Sequence, residues 1–162
     1  MNLPTALNEL IARRDLPYDA MRESMQTIMG GGATPAQIAG FLIALRCKGE
    51  SVQELAAAAQ VMRELATQVP VKNRERLIDT CGTGGDRAQT LNISTAAAII
   101  AAAAGATVAK HGGRSVSSAC GSADVMEALG VNISLSAIEV AHCVDEIGIG
   151  FMFAPNHHSA MK

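Results

Sequence analysis

The chain has 162 residues, 49% of them hydrophobic and 17% charged, which suits a globular domain with a small attachment and excludes a disordered chain. Thirteen basic and fifteen acidic side chains leave a net charge of −2. No block of one sign stands out, which argues against an extended nucleic-acid footprint or an anionic membrane surface. Aromatic residues make up only 2%, so Ala, Leu, Ile, Val and Met must build the core, with helices packed closely through small residues. Met1–Asn8 lacks the basic start and apolar core of a signal peptide, and the apolar run Ala96–Ala104 is too short to span a bilayer. Cys47, Cys81, Cys120 and Cys143 show neither a CxxC pair nor zinc spacing. They are expected to be buried or half-buried thiols in a reducing cytosol, and the protein is expected to be cytoplasmic.

From Leu3 to about Val69 apolar residues recur at helical spacing, which predicts a small all-helical domain over 1–69. Leu3–Arg13 is the first amphipathic helix. Tyr18–Met29 is the second, entered through Pro17 and ended by Gly30-Gly31-Gly32. Thr34-Pro35-Ala36-Gln37 is a capping box with Pro at the first helical position, and it opens a third helix that stops at Gly49. Ser51-Val52-Gln53-Glu54 is another capping box, opening a helix to about Gln68 that Pro70 ends. The polar stretch 70–76, with Lys72, Arg74 and Arg76, reads as a solvated hinge.

After Arg76 the pattern alternates. Leu77–Thr80 is a strand, followed by a glycine-rich loop and a helix over Ser94–Ala104. Thr107–Ala109 is a second strand, followed by another loop and helices over Ala123–Leu129 and Ala137–Ile147. Gly150–Phe153 is a third strand. The fold class is therefore α/β: a small N-terminal all-helical domain, then a mostly parallel sheet with covering helices over 77–162. Asn156 is expected to cap a further helix. So few strands do not make a covered parallel sheet, so this domain is expected to be truncated.

The loop Asp79–Asp86 follows a strand, where open parallel sheets place their ligands. Gly82, Gly84 and Gly85 let backbone N–H groups approach phosphate oxygens, with Asp86 closing the loop. No Walker lysine follows, and Arg87 stands where a dinucleotide fingerprint needs glycine. Thr90, Asn92, Ser94 and Thr95 then precede the apolar helix. Asn92 or Ser94 is expected to cap it, and the surplus of polar groups at a positive helix end fits an anion site. The second loop, Lys110–Ser118, brings Lys110 and Arg114 as cations, Ser115, Ser117 and Ser118 as hydroxyls, and the Gly112-Gly113 pair. His111 lies within it and is expected to face the ligand. Ser122 is expected to cap the next helix, and Asp124 suits that helix's dipole. His157 and His158 read as a polar pair at a helix start, since neighbours on a helix point about 100° apart and make a poor metal pair. His142 reads as structural.

Gly82-Thr83-Gly84-Gly85-Asp86, Asn92-Ile93-Ser94-Thr95, Lys110–Ser118 and Gly121-Ser122-Ala123-Asp124, in this order, resemble the anthranilate phosphoribosyltransferases. The tail Phe151–Pro155 with His158 and Ala160-Met161-Lys162 resembles them too. The resemblance implies the type III phosphoribosyltransferase fold. It also implies transfer of phosphoribosyl from phosphoribosyl pyrophosphate to the anthranilate amine in tryptophan biosynthesis, with Mg2+ on the diphosphate. It places the sugar diphosphate on Gly82, Gly84, Gly85, Asp86, Thr90, Asn92, Ile93, Ser94, Thr95, on Lys110, His111, Gly112, Gly113, Arg114, Ser115, Val116, Ser117 and Ser118, and on Ser122. The Ser94 hydroxyl is implied as a magnesium ligand. No general-base triad is implied; positioning and charge would stabilise an oxocarbenium-like state. A homodimer through the N-terminal helices is implied, with no nucleic-acid or membrane partner. The chain departs from the family pattern at Arg87, Gly113 and Ala119, where Gly, Asn and Lys are commoner. The family's acidic metal-binding pair and its anthranilate-binding arginine would lie beyond Lys162. The alternatives are a pyrimidine nucleoside phosphorylase-like enzyme, a non-catalytic nucleic-acid-binding member of the fold, and an interaction module with vestigial loops.

Overall fold

The computed structural model describes residues 1–82, 91–115 and 120–157. Two compact units meet in the chain at Ala66 and Thr67. The first holds four helices: α1 (Leu3–Ile11), α2 (Tyr18–Met29), α3 (Pro35–Lys48) and α4 (Val52–Leu65). Leu3, Ala6 and Leu10 line one face of α1 and pack with Leu16, Met21, Phe41, Leu45 and Ala57. Both expected capping boxes are present: Thr34 with Gln37, and Ser51 with Glu54.

Two helix ends differ from the periodicity. α1 stops at Ile11 because Arg13 turns left-handed, at φ 57°. The N–H of Arg13 then reaches Leu10 O and that of Arg14 reaches Glu9 O, both at 2.9 Å, the paired bonds of a Schellman ending. α4 stops at Leu65, short of Gln68, because Ala66 adopts extended angles of φ −68° and ψ 137°. Thr67 N–H then bonds His157 O at 2.9 Å instead of continuing the helical ladder.

Glu54 is fully buried and doubles as the hub of this unit. Its carboxylate accepts from Leu16 N at 2.9 Å, Ser51 N at 2.7 Å and Lys48 Nζ at 2.8 Å, and Lys48 also reaches Asp15 at 2.6 Å. Burial pushes the Glu54 carboxyl up, but the bonds from Leu16, Lys48 and Ser51 outweigh it and hold the group below the ordinary range.

The second unit runs β1 (Leu77–Ile78), α5 (Ile93–Ala103), β2 (Thr107–Gly112), α6 (Ser122–Ala128), α7 (Ala137–Ile147), β3 (Ile149–Phe153) and the single turn α8 (Ala154–His157). The strands form one parallel sheet in the order β1-β2-β3. Val108 pairs with both Ile78 and Ile149, so β2 is central. Val140, Ala141 and Val144 of α7 pack on Ala109 and Val71. Val71 is 6% exposed, so the stretch read as a solvated hinge is partly anchored in this core, while Lys72, Arg74 and Arg76 are exposed.

Three further expectations are corrected. β2 continues through Lys110, His111 and Gly112, which pair with Phe151, Met152 and Phe153; glycine and polar residues cluster there and read as loop, but the ladder to β3 overrides that local signal. Asn156 lies inside α8 rather than capping a helix. Cys47, Cys81 and Cys120 are exposed, and only Cys143 is half-buried. Among the described residues no helix is long and apolar enough to cross a membrane.

Candidate phosphate site

The chain after β1 and the end of β2 are tied together at the start of α5. One oxygen of Asp79 accepts from Cys81 N at 3.0 Å and His111 N at 3.3 Å. Thr80 Oγ1 donates to Ser94 O at 2.7 Å, fixing β1 to the first turn of α5. Cys81 Sγ lies 3.8 Å from His111 Nδ1. Gly82 is exposed, with open space around it. Sequence reasoning assigns no role to Asp79 or Thr80; their position at a strand's C-terminal end is the available signal.

The first turn of α5 is not capped as expected. Asn92 holds the N-cap position, but its Nδ2 donates to Cys120 O at 3.1 Å and makes no capping bond. Ser94 Oγ instead accepts from Lys110 Nζ at 3.3 Å. Thr95, 1% exposed, donates its hydroxyl to Ser122 Oγ at 3.0 Å. Ser122 therefore joins α6 to α5, and the N-cap of α6 is Gly121. Ile93 is 60% exposed at the start of α5. The missing caps share one physical cause: each side chain found a partner distant in sequence.

Lys110 is the most informative residue of the site. It sits on the central strand and is 1% exposed. An ammonium has three N–H donors, and among the described residues this one makes a single long bond, to the Ser94 hydroxyl, with no carboxylate partner. Burying an ammonium that lacks a carboxylate partner is costly. The positive end of α5, uncapped by Asn92, lies beside it.

Gly112 shows how tightly α6 approaches. A Cβ there would lie 2.8 Å from Ser122 Cβ and 3.1 Å from the Phe151 ring. Gly113 is open by comparison; a Cβ there would meet only Ala154 Cβ, at 3.9 Å. Gly113 O accepts from Ala123 N at 3.0 Å.

Arg114, expected as a ligand cation, is already engaged. Nη1 donates to Asp124 and Glu127, both at 2.9 Å, and Nη2 donates to Glu127 at 3.2 Å, with the guanidinium 5.8 Å from the Phe153 ring centre. The bonds from Glu127 and then Asp124 raise the pKa of Arg114 further. Asp124 also accepts from Gly121 N at 2.8 Å and Ser115 N at 3.2 Å. Its carboxyl lies below the ordinary range because of the Gly121 N–H first, then Arg114 and Ser115. Sequence reasoning gives Asp124 only a dipole role, since its three loop partners are set by the fold.

Gly84, Gly85, Asp86, Thr90, Val116, Ser117, Ser118 and His158 lie outside the described residues. His157 is 4% exposed, with Nδ1 3.2 Å from Phe153 O, so it is a packed side chain rather than part of a polar pair at a helix start. His142 is exposed on α7. Among the described residues no group of three or more His, Cys, Asp or Glu could hold a metal ion. Ser94 Oγ, the expected magnesium ligand, accepts from the buried Lys110 ammonium.

A helical bundle followed in the chain by a parallel sheet with helices defines a two-part architecture. The chain belongs to the glycosyl transferase family: residues 74–162 match the family's α/β domain and residues 4–66 its helical bundle domain. It is 68% identical over 157 residues to the anthranilate phosphoribosyltransferase of Laribacter hongkongensis, covering 97% of this chain and 46% of that protein. Over 162 residues it is 61% identical to the Methylococcus capsulatus enzyme of the same name, covering 100% and 47%. Among solved structures, anthranilate phosphoribosyltransferase from Thermus thermophilus superposes with a TM-score of 0.86 at 44% identity, covering 96% of this chain and 47% of that one. The Saccharomyces cerevisiae enzyme, solved in complex with PRPP (phosphoribosyl pyrophosphate) and Mg, gives 0.85 at 25% identity, covering 98% and 48%. The chain spans about half the length of the curated relatives it matches.

Proposed function

We propose that this chain holds phosphoribosyl pyrophosphate for transfer of its phosphoribosyl group to the anthranilate amine. The bond from the ribose anomeric carbon to the pyrophosphate oxygen breaks, pyrophosphate leaves, and the amine nitrogen bonds the same carbon and sheds a proton. The chain's own contribution is positioning and charge. The observation that carries the reading is Lys110, a buried ammonium whose one bond among the described residues is to Ser94, beside a start of α5 that Asn92 does not cap. The names of the similar proteins support the substrate pair. Gly82, Asn92, Ser94, Thr95 and Ser122 would frame the diphosphate, and the N–H groups of the two glycine-rich loops would complete the cradle.

Magnesium is part of the proposal as an ion borne by the substrate. It would enter on the diphosphate, whose leaving charge it neutralises, with the Ser94 hydroxyl as a ligand from the chain. A homodimer through the helical unit is also proposed: Leu42, Ile43, Val52 and Leu55 are 53%, 64%, 84% and 57% exposed on α3 and α4, and covering them would remove apolar surface from water. Light scattering of Ile43→Arg against the unaltered chain checks it; an unchanged dimer would exclude this face. The four free cysteines support a cytoplasmic setting.

Calorimetric titration of the chain with phosphoribosyl pyrophosphate, with and without magnesium, tests the main reading. Saturable binding is expected, displaced by pyrophosphate. Binding of thymidine with orthophosphate, and none of phosphoribosyl pyrophosphate, would overturn it in favour of a nucleoside phosphorylase.

A further inference from the structure

The two outer strands follow β2 over different lengths. β3 stays in register with β2 as far as Gly112 and Phe153, whereas β1 pairs only as far as Ile78 and Val108. Backbone N–H groups alternate in direction along a strand. Val108 N donates to Gly148 O at 2.8 Å, on the β3 side, so His111 N points to the side of β1. By then β1 has ended, and the side chain of Asp79 takes its place. One oxygen, Oδ1, accepts from His111 N at 3.3 Å and from Cys81 N at 3.0 Å.

The next residue reaches a different element. Thr80 Oγ1 donates to Ser94 O at 2.7 Å, in the first turn of α5. Two adjacent residues therefore hold two backbones, β2 at His111 and α5 at Ser94. These backbones carry the pair on which the anion reading stands. Lys110 immediately precedes His111, is 1% exposed, and donates from Nζ to Ser94 Oγ at 3.3 Å.

We propose that Asp79 and Thr80 are positioning residues that set Lys110 against Ser94. Asp79 holds β2 one residue beyond the lysine, and Thr80 holds α5 at the serine itself. This rests on the proposed function for its ligand, while the tie from Asp79 to the backbone can be read without any ligand. A carboxylate near an anion site opposes binding through its charge. Asp79 stands there because its oxygen supplies the acceptor that β1 no longer offers to His111 N.

The sign of one effect separates position from charge. Both bonds of Asp79 go to the same oxygen, and Oδ2 has no bond among the described residues. Asp79→Asn can therefore keep both bonds while losing the charge, whereas Asp79→Ala loses bonds and charge together. Through charge alone the two variants would behave alike, each binding an anion more tightly. Thr80→Val removes only the hydroxyl at nearly the same volume, and Thr80→Ser keeps it.

The experiment titrates the unaltered chain and the four variants with phosphoribosyl pyrophosphate and follows amide exchange at His111 and Cys81 without ligand. Asp79→Ala is expected to bind about ten-fold more weakly, the scale of one misplaced charge-assisted hydrogen bond, and to exchange faster at both amides. Asp79→Asn is expected to bind at least as tightly as the parent, with both amides protected. Thr80→Val is expected to weaken binding and Thr80→Ser to retain it. Parent-like or tighter binding by Asp79→Ala would overturn the proposal. So would an Asp79→Asn variant as weak as Asp79→Ala, which would show that the charge itself is needed. Thermal unfolding checks that each variant folds; if Asp79→Ala does not, Thr80→Val decides, and parent-like affinity in it overturns the proposal. If the unaltered chain binds no phosphoribosyl pyrophosphate, the substrate reading fails, while unchanged exchange at His111 in Asp79→Ala would separately refute the tie.

Discussion

Lys110→Met should make the protein more stable and a worse binder at the same time. Methionine has nearly the volume of lysine's stem and fills the same space on β2 without a charge. Lys110 is 1% exposed, and among the described residues its single bond is the 3.3 Å contact to Ser94 Oγ. Replacing a poorly compensated buried ion with an apolar side chain of like size stabilises by roughly 1–4 kcal/mol. Loss of the Ser94 contact takes back about 0.5–1.5 kcal/mol. Ser94 is half-buried, so its hydroxyl retains access to water and no large penalty is left behind. The midpoints of the two terms leave a gain of about 1.5 kcal/mol, which at this chain length raises Tm by roughly 3–6 °C.

The cost appears on binding. Hydrogen bonds from an ammonium to a phosphate are charge-assisted and contribute about 1.5–3 kcal/mol each, so losing one weakens phosphoribosyl pyrophosphate about 10- to 150-fold. Calorimetric unfolding and calorimetric titration on the same two preparations measure both. A lowered Tm with unchanged affinity would mean that Lys110 is structural, and the argument for an anion site beside α5 would fall with it. The opposed signs are the useful part, since damage to the fold lowers both quantities together.

Arg13→Gly should stabilise the helical unit by about 1 kcal/mol, because Arg13 holds a left-handed φ of 57° at a helix end that glycine adopts without strain; urea unfolding followed by circular dichroism checks it, and a loss would mean that the arginine side chain outweighs its backbone cost. Glu54 makes the helical unit acid-sensitive. Its folded pKa is depressed, so its contribution is present above the unfolded value near 4.5 and is lost as pH falls through the folded value. Glu54→Gln should therefore flatten the acid limb of stability below about pH 4.5 and cost about 3 kcal/mol at neutral pH, where it leaves a buried charge cluster broken. An acid limb identical to the parent's would assign the sensitivity elsewhere. Gly112→Ala should cost about 1–3 kcal/mol through overpacking, since its Cβ would meet Ser122 Cβ at 2.8 Å and the Phe151 ring at 3.1 Å; thermal unfolding at the parent's Tm would show that α6 can yield.

Where the chain's structure is local, its residues announce it. Thr34 with Gln37 and Ser51 with Glu54 mark helix starts because both partners lie within one turn, and the structure has both. Where a residue's partner is remote, the local signal misleads. Lys110, His111 and Gly112 carry loop-like composition but take strand geometry from β3, some forty residues on. Asn92, Ser94 and Ser122 have the chemistry of caps, yet their bonds go to Cys120, Lys110 and Thr95. These misreadings cluster at one place, the meeting of α5, β2 and α6. Among the described residues, Asn92 makes no capping bond at the start of α5, and Lys110, buried by its neighbours, has no carboxylate partner. Each departure from local expectation fits the proposed anion site: a helix start that Asn92 does not cap, a buried ammonium, a closely approached backbone. On the proposed reading these departures from local rules belong to an anion site, and a gain of stability in Lys110→Met is the measurement that would show it.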